Sequence, residues 1–235
     1  MKKLSISLAA TTLLVQSLPA DQKWYEKMEI GPVWMNTFGD YFQGKKRVDA
    51  IKGLSVDLGD GWRGLYDTET LRLVSVHKGG IEWGGTPWSG QHGKIIAMAN
   101  KDALLTTATG SGWADANGSF DDNREIKGHG NMPLGRLMGH YRHGSTIVLE
   151  YSVNGTEVLE TLSRSGDSVT RSFRLGSRKQ ALTLSVADEK GAFAVEGASA
   201  KSADGLEVVA GEGLKLATDP DAAGRLLAQV PKGEG

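Results

Sequence analysis

The sequence contains no cysteine in 235 residues. Disulfides, thiolate catalysis, cysteine-ligated zinc and lipid attachment through cysteine are therefore excluded. Covalent haem attachment is excluded as well, because it requires Cys-x-x-Cys-His. A chain without covalent cross-links depends on its core for stability, and 235 residues are enough for one large domain.

The sequence also has little net charge and few long apolar runs. Its 27 Lys and Arg residues nearly balance 28 Asp and Glu residues, so the formal net charge is −1. This balance gives no electrostatic reason to expect nucleic acid as a partner. After residue 20, no run approaches the roughly 20 apolar residues of a membrane helix. We predict no nucleic-acid partner and no integral membrane span.

The first twenty residues resemble a bacterial export signal. Lys2 and Lys3 form a basic start, and the apolar run Leu4–Val15 follows them. Cleavage near Ala20 fits this arrangement. The sequence therefore predicts an exported protein, periplasmic or extracellular after cleavage. The alternative is an N-terminal helix that is buried in the fold.

Period-two alternation dominates the middle of the chain. Apolar residues occupy every second position in Thr146–Val153 and again in the segments that contain Phe173 and Leu184. Asn154-Gly155 joins Thr146–Val153 to Thr156–Ser163, and Asn-Gly favours the tight turn of a β-hairpin. We predict an all-β fold, a β-sandwich of mainly antiparallel strands.

The remaining segments suggest a simple organisation along the chain. Residues 108–136 are polar and rich in glycine, which predicts a long loop. The run RLLAQV near the C-terminus stops without a closing element, so we expect a longer parent protein. The predicted divisions are a signal peptide (1–20), a lead-in with short helical segments (21–50), the β-sandwich (51–195) and additional, truncated strands (196–235).

The segment Gly59–Gly93 is rich in tryptophan and glycine. Flat apolar rings held on tight turns can stack on sugars, while polar neighbours bind the hydroxyl groups. The alternative is that these rings fill the core. The predicted ligand-binding residues are Trp62, Trp83, Trp88, Gln91, His92 and Trp113.

Oxygen-bearing side chains crowd the long loop. Asp115, Asn117 and Asp121 are among them, and an oxygen-rich loop can hold calcium, although the EF-hand pattern fails because Phe120 stands where its glycine belongs. The alternative is a solvated loop shaped by Asx turns. We predict calcium as a candidate metal at these three residues.

No motif identifies catalytic residues. The sequence has no G-x-S-x-G elbow and no H-E-x-x-H. Glycoside chemistry needs two carboxylates at a defined separation, which a sequence does not supply. The candidate carboxylates are Asp57, Asp60, Asp67, Glu69, Glu82 and Glu125.

An ordered series of segments resembles a known family. The segments are Lys52–Leu58, Tyr66–Leu73, Gly90–Gly93, Gly112–Ala114, His140–Val153, Glu157–Glu160 and Thr170–Phe173. Together, over roughly residues 24–190, they resemble the uncharacterised N-terminal domain of large exported haem-binding proteins of planctomycetes and verrucomicrobia. Those proteins are often labelled c-type cytochromes or membrane-bound dehydrogenases.

The resemblance implies an exported β-rich module of a multidomain redox protein, with haem only in downstream sequence. Our first hypothesis is a non-catalytic accessory module that binds polysaccharide or packs against neighbouring domains of the same parent. The second is a glycan-active hydrolase or lyase that uses loop carboxylates. The third is a purely structural domain of an electron-transfer protein.

Overall fold

The computed structural model describes residues 29–42, 46–82, 97–98, 103–124 and 130–234. Every regular element in these residues is a β-strand. The strands are β1 (Val33–Phe42), β2 (Lys46–Gly59), β3 (Trp62–Asp67), β4 (Arg72–Lys78), β5 (Ile81–Glu82), β6 (Ala97–Met98), β7 (Ala103–Thr106), β8 (Gly135–His143), β9 (Thr146–Val153), β10 (Thr156–Ser165), β11 (Ser168–Leu175), β12 (Leu182–Asp188), β13 (Ala194–Glu196), β14 (Ser199–Lys201), β15 (Glu207–Val209), β16 (Lys215–Asp219) and β17 (Ala222–Val230). Among the described residues, no helix is long and apolar enough to cross a membrane.

The strands form several antiparallel sheets. Their orders are β1-β2-β3-β4-β7, β11-β10-β9-β8, β12-β17-β16, β13-β14-β15 and β5-β6. Most neighbours in each sheet are also neighbours in sequence, as expected for hairpins and meanders. The all-β, mainly antiparallel prediction is therefore confirmed.

One large core joins the five-stranded sheet, the four-stranded sheet and the β12-β17-β16 sheet. It collects buried residues from the five-stranded sheet (Leu54), from the four-stranded sheet (Leu149) and from the β12-β17-β16 sheet (Leu184). A Cβ added to Gly64 of β3 would meet the end of the Leu162 side chain of β10, which shows that the first two sheets pack closely. Alternation in β9 and β10 places their apolar side chains on this inner face.

The hairpin at Asn154-Gly155 is confirmed. β9 pairs with β10 from Val153↔Thr156 onwards. Both turn residues have positive φ, 47° for Asn154 and 77° for Gly155. These are the angles of a type I′ turn, whose twist matches that of the two strands.

The predicted helical lead-in at residues 21–50 is wrong for its described part. Val33–Phe42 and Lys46–Gly59 are strands that pair with each other. A register shift between Asn36 and Phe38 interrupts the regular alternation, which is why the sequence lacks a clear period of two there. Residues 1–28, including the predicted signal peptide, lie outside the described residues.

The C-terminal region contains the strands β14 to β17, and the described residues between β7 and β8 form no strand. Within them, Trp113 is held against β12 by an isolated antiparallel bridge to Leu184. Gly112 donates its backbone N–H to the Thr70 carbonyl at 2.9 Å. A Cβ on Gly112 would clash with the carbonyl oxygen of Leu71, so only glycine fits.

Candidate functional site

A groove of about 990 Å³ opens beside the core, which is a large volume for a ligand site. One rim is formed by residues 167–173, the turn before β11 and most of that strand. The other rim is formed by residues 205–214 around β15. Leu184, Val186 and Ala228 of the β12-β17-β16 sheet also line it.

The groove follows backbone edges as well as side-chain faces. Side chains of a strand alternate between two faces, so a groove on one face would be lined by every second residue. This groove is lined by consecutive residues along both rims. β11 and β15 are the terminal strands of their sheets. The groove therefore lies between two sheet edges.

The side chains along the groove are largely apolar and only partly covered. Val169, Phe173, Leu206, Val208 and Leu214 are partly buried residues that pack against the main core. Val209, on the second rim, is 67% exposed. A concave surface lined largely by apolar side chains, with a few polar groups among them, has the form of a binding site.

A buried carboxylate, that of Glu160 on β10, organises one end of the site and is 1% exposed. The Tyr66 hydroxyl donates to Oε1 at 2.8 Å, and the Tyr151 hydroxyl donates to Oε2 at 2.7 Å. Arg171 Nε donates to Oε1 at 2.9 Å. The Trp113 indole N–H donates to the Tyr151 hydroxyl at 3.3 Å. Side chains of the five-stranded and four-stranded sheets therefore donate hydrogen bonds to the same carboxylate.

Burial and charge fix the protonation states of this network. Burial first, and the Glu160 carboxylate second, raise the pKa of Tyr66 and of Tyr151 well above the usual value, so both hydroxyls remain donors. Burial acts to lower the pKa of Arg171. The attraction of Glu160, its hydrogen bond to Arg171 and the nearby tyrosine oxygens together outweigh that effect, so the pKa is raised and the guanidinium stays charged.

Arg171 connects this network to the groove that it lines. Its side chain is 10% exposed, and its Nη1 and Nη2 have no hydrogen-bond partner among the described residues. The guanidinium carbon lies 5.2 Å from the centroid of the Phe173 ring. A buried donor without a partner costs about 1–3 kcal/mol, so an incoming acceptor would be favoured.

A second buried carboxylate, that of Glu69, holds the turn between β3 and β4. Its Oε1 contacts Lys52 Nζ at 2.8 Å and accepts the Gly130 N–H at 3.0 Å. Its Oε2 contacts Arg124 Nη1 at 3.1 Å. Arg124 also pairs with Asp122 at 2.7 Å. Both oxygens of Glu69 are therefore paired, and they tie the long loop to the sheet.

Asp67 begins the same turn and is buried. Its Oδ1 accepts the Glu69 backbone N–H at 3.1 Å. Burial raises its pKa, while the nearby charge of Arg72 acts in the opposite direction. The Glu69 carbonyl accepts the Met132 N–H at 3.1 Å, which fixes the end of the loop. This part of the Tyr66–Leu73 segment is therefore a scaffold.

The structure separates the predicted ligand-binding residues. Trp62 is half-buried, with the Arg164 guanidinium 5.9 Å from its ring centroid. Trp113 is fully buried and lines the groove without an exposed face. The other four, Trp83, Trp88, Gln91 and His92, lie outside the described residues.

The predicted calcium residues share one small pocket. Asp115, Asn117 and Asp121 all line a cavity of about 210 Å³. The Asp115 Oδ1 accepts the N–H groups of Asn117 at 2.8 Å and Ser119 at 2.9 Å, as in an Asx turn. In the described part of the chain no cluster of three His, Cys, Asp or Glu residues is placed to hold a metal. Calcium stays a prediction.

Sequence reasoning missed the Glu160–Arg171 pair. The signal was present, because Arg171 stands in phase with the apolar Val169 and Phe173 on β11. Glu160 likewise stands in phase with the buried Val158 on β10. A charge at an inward position of an amphipathic strand is paired when it is buried, so two such charges on adjacent strands indicate an ion pair.

Comparison with known proteins places part of this chain in a family context. No curated protein and no solved structure matches it. Residues 64–160 match the family model described as a domain of unknown function, DUF6797. The match covers the Asp67–Glu69 turn, the long loop and β8 to Glu160, and it ends before Arg171. Over this stretch the chain is similar to the DUF6797 family.

Proposed function

We propose that this chain is a non-catalytic, exported module of a larger redox protein and that it packs against a neighbouring domain of its parent through the groove. The observation that carries the proposal is the groove itself, with apolar walls between the edges of β11 and β15. A groove of this kind buries a partner by the hydrophobic effect and orients it through a few polar groups.

The described carboxylates favour binding over catalysis. Asp57 accepts the Gly59 N–H at 2.9 Å, and Asp60 pairs with Arg164. Glu69 and Glu160 are saturated by the contacts given above. A catalytic acid or base needs a lone pair or proton available to substrate, whereas the buried carboxylates of Glu69 and Glu160 are engaged in holding the fold.

The wall chemistry favours a polypeptide over a sugar. A sugar site presents flat aromatic faces together with hydrogen-bonding groups. The groove instead presents mainly aliphatic side chains such as Val186 and Leu206, and the Phe173 ring that also lines it is partly buried. Trp62 and Trp113 are half-buried and buried. We therefore propose a polypeptide partner, and the test below would detect binding of carbohydrate, the other ligand of our first hypothesis.

The redox setting rests on the family resemblance of the quoted segments. The chain contains no cysteine, so any covalently attached haem of the parent would be held by other parts of that protein. In this proposal the module contributes a docking surface and no cofactor chemistry of its own.

Hydrogen exchange on the chain and on its full parent tests the proposal. We expect the amides of residues 167–173 and 205–214 to exchange at least about tenfold more slowly in the parent, because a packed partner reduces local opening. The amides of β8, at the opposite edge of the four-stranded sheet, are the internal control and should not change. If the amides of both rims exchange at the same rate in the isolated chain and in the full parent, the proposal is refuted.

The same chain is then incubated with a panel of soluble polysaccharides. Protection of the rims by a polysaccharide would move the function to carbohydrate binding. Release of reducing sugar would identify an enzyme. Either result would overturn the proposed packing role.

A further inference from the structure

We infer that the occupant of the groove is an extended polypeptide segment that adds to β11 as a further strand and places one carboxylate beside Arg171. This inference rests on the proposed function and specifies the partner. It draws on three features: the free edge of β11, the opposite rim at β15, and the inner face of β11 with the buried cation of Arg171.

The first feature is the free edge of β11. Within the described part of the chain, Ser168–Leu175 pairs only with β10. In an antiparallel pair, every second residue of the outer strand turns its N–H and C=O away from its neighbour. These groups border the groove and are available to a new strand, as in β-strand addition.

The second feature is the opposite rim. β15 pairs only with β14 in the described residues, so it too presents an edge to the groove. Its Val209 is 67% exposed. A segment placed between β11 and β15 therefore meets backbone groups on both sides and apolar side chains beneath. Water would satisfy the edges but would leave the apolar surface uncovered.

The third feature is the pattern on the inner face of β11. Val169, Phe173 and Leu175 alternate with outward polar residues, and Arg171 interrupts their apolar series. An added strand matches this spacing if every second residue is apolar. The two unpaired nitrogens of Arg171 are suited to one carboxylate, which a guanidinium can bind through two parallel bonds.

These features define the partner. It is an extended segment about as long as β11, which has eight residues. It has apolar side chains at alternate positions and a single Asp or Glu on the same face, next to Arg171. A neighbouring domain of the parent supplies it.

Synthetic peptides test this assignment on the intact chain. The probe is a soluble ten-residue peptide with valine at alternate positions, one inward glutamate and terminal lysines. The first control carries glutamine in place of the glutamate, and the second carries N-methyl groups on the amides of one strand edge. Affinity is measured by calorimetry, and protection of the β11 amides by hydrogen exchange.

We expect the glutamine peptide to bind about tenfold more weakly, as one charge-assisted bond is lost. N-methylation should weaken binding by more than about tenfold because it removes the strand pairing and leaves the side chains unchanged. Equal affinity of the methylated peptide would overturn strand addition. Equal affinity of the glutamine peptide would overturn the role of Arg171.

Chemical blocking provides a test that does not perturb the core. Because the chain has no cysteine, Val209→Cys introduces a unique site that can carry a bulky maleimide at the groove rim. Met138→Cys is the matched control, since Met138 is also exposed (55%) and lies on the edge strand β8. The label at position 209 should abolish peptide binding, and the label at position 138 should not.

The outcomes separate this inference from the proposed function. Rim protection in the full parent without peptide binding would overturn strand addition and retain the packing role. Loss of both signals would overturn both. A concentration-dependent dimer with protected β11 amides would identify a second copy as the occupant and would overturn the assignment to a neighbouring domain.

Discussion

Two buried carboxylates, Glu69 and Glu160, lie in regions of opposite character. Glu69 is enclosed by the long loop, and its partners Lys52 and Arg124 complete a closed ion-pair cluster. Glu160 is equally saturated, but its cation Arg171 retains two nitrogens without partners among the described residues. In the first region each charge is paired, whereas the second keeps two buried donors without partners on a residue that lines the groove.

The glycines of the two regions show the same contrast. Gly112 in the closed region has no space for a Cβ. Gly211 lines the groove and has open space around its Cβ position. A buried charge that the chain itself satisfies acts as scaffold, whereas spare donors beside unfilled space indicate where another molecule binds. Four substitutions test this distinction.

Arg171→Gln should have the largest effect. It leaves the Glu160 carboxylate buried without its cation, which typically costs about 3–5 kcal/mol in the free energy of unfolding. Urea denaturation measures the change. Arg174→Gln on the exposed face of the same strand is the control and should remain within about 0.5 kcal/mol of the wild type. Similar losses in both variants would contradict the special role of Arg171.

Gly112→Ala tests the closed region directly. The new methyl group would collide with the Leu71 carbonyl, and overpacking against backbone costs about 3 kcal/mol. Gly211→Ala is the matched change at the groove and should be almost neutral, because nothing lies near its Cβ position. Thermal unfolding compares the two. A neutral Gly112→Ala would show that the closed region is less tightly packed than described.

Burial of His77 should make the stability of the fold depend on pH. This fully buried residue of β4 has its pKa lowered from 6.5 to about 4, by burial first and by the charge of Arg63 second. The folded state thus favours neutral imidazole. Its stabilising contribution is present above pH 6.5 and is lost as the pH falls towards 4, by about 3 kcal/mol in total.

The difference in stability between wild type and His77→Gln, measured from pH 7 to pH 4, isolates this contribution. We expect the variant to lose less stability on acidification. His140→Gln on the exposed part of β8 is the control. A difference curve that is flat with pH for His77→Gln would contradict the buried, neutral state of the imidazole.

Glu69→Gln should have the smallest effect of the four. The amide removes the charge from the pairs with Arg124 and Lys52 but keeps an oxygen that can accept a hydrogen bond, so we expect a loss of about 2 kcal/mol. Lys52→Gln provides the control, because the lysine is 63% exposed and an exposed pair contributes about 0.5 kcal/mol. Urea unfolding of both variants measures the contrast. A loss equal to that of Arg171→Gln would remove the distinction between the two clusters.

Local signals in the sequence predicted much of the fold. Asn154-Gly155 fixed a hairpin because its turn geometry depends only on adjacent residues. The strands around Leu149 and Leu184 were visible because one face is buried and the other is wet. The first hairpin escaped prediction because the register shift between Asn36 and Phe38 interrupts the alternation of β1.

The groove could not be predicted from the sequence, for a different reason. Its rims come from residues 167–173 and 205–214, and no periodicity indicates that these segments face each other. Arg171 could have been recognised as an inward charge, but its unpaired nitrogens depend on the three-dimensional arrangement. The tryptophans attracted attention by their size, and Trp113 is instead a buried hydrogen-bond donor.

The convergence on Glu160 has a consequence for truncated chains. The carboxylate accepts hydrogen bonds from Tyr66, Tyr151 and Arg171, which lie far apart in the sequence. A fragment that ends before residue 171 lacks the cation of this network, and a fragment that ends before β12 lacks the strands that complete the core. We expect both fragments to be readily cleaved by protease, whereas the whole chain should resist.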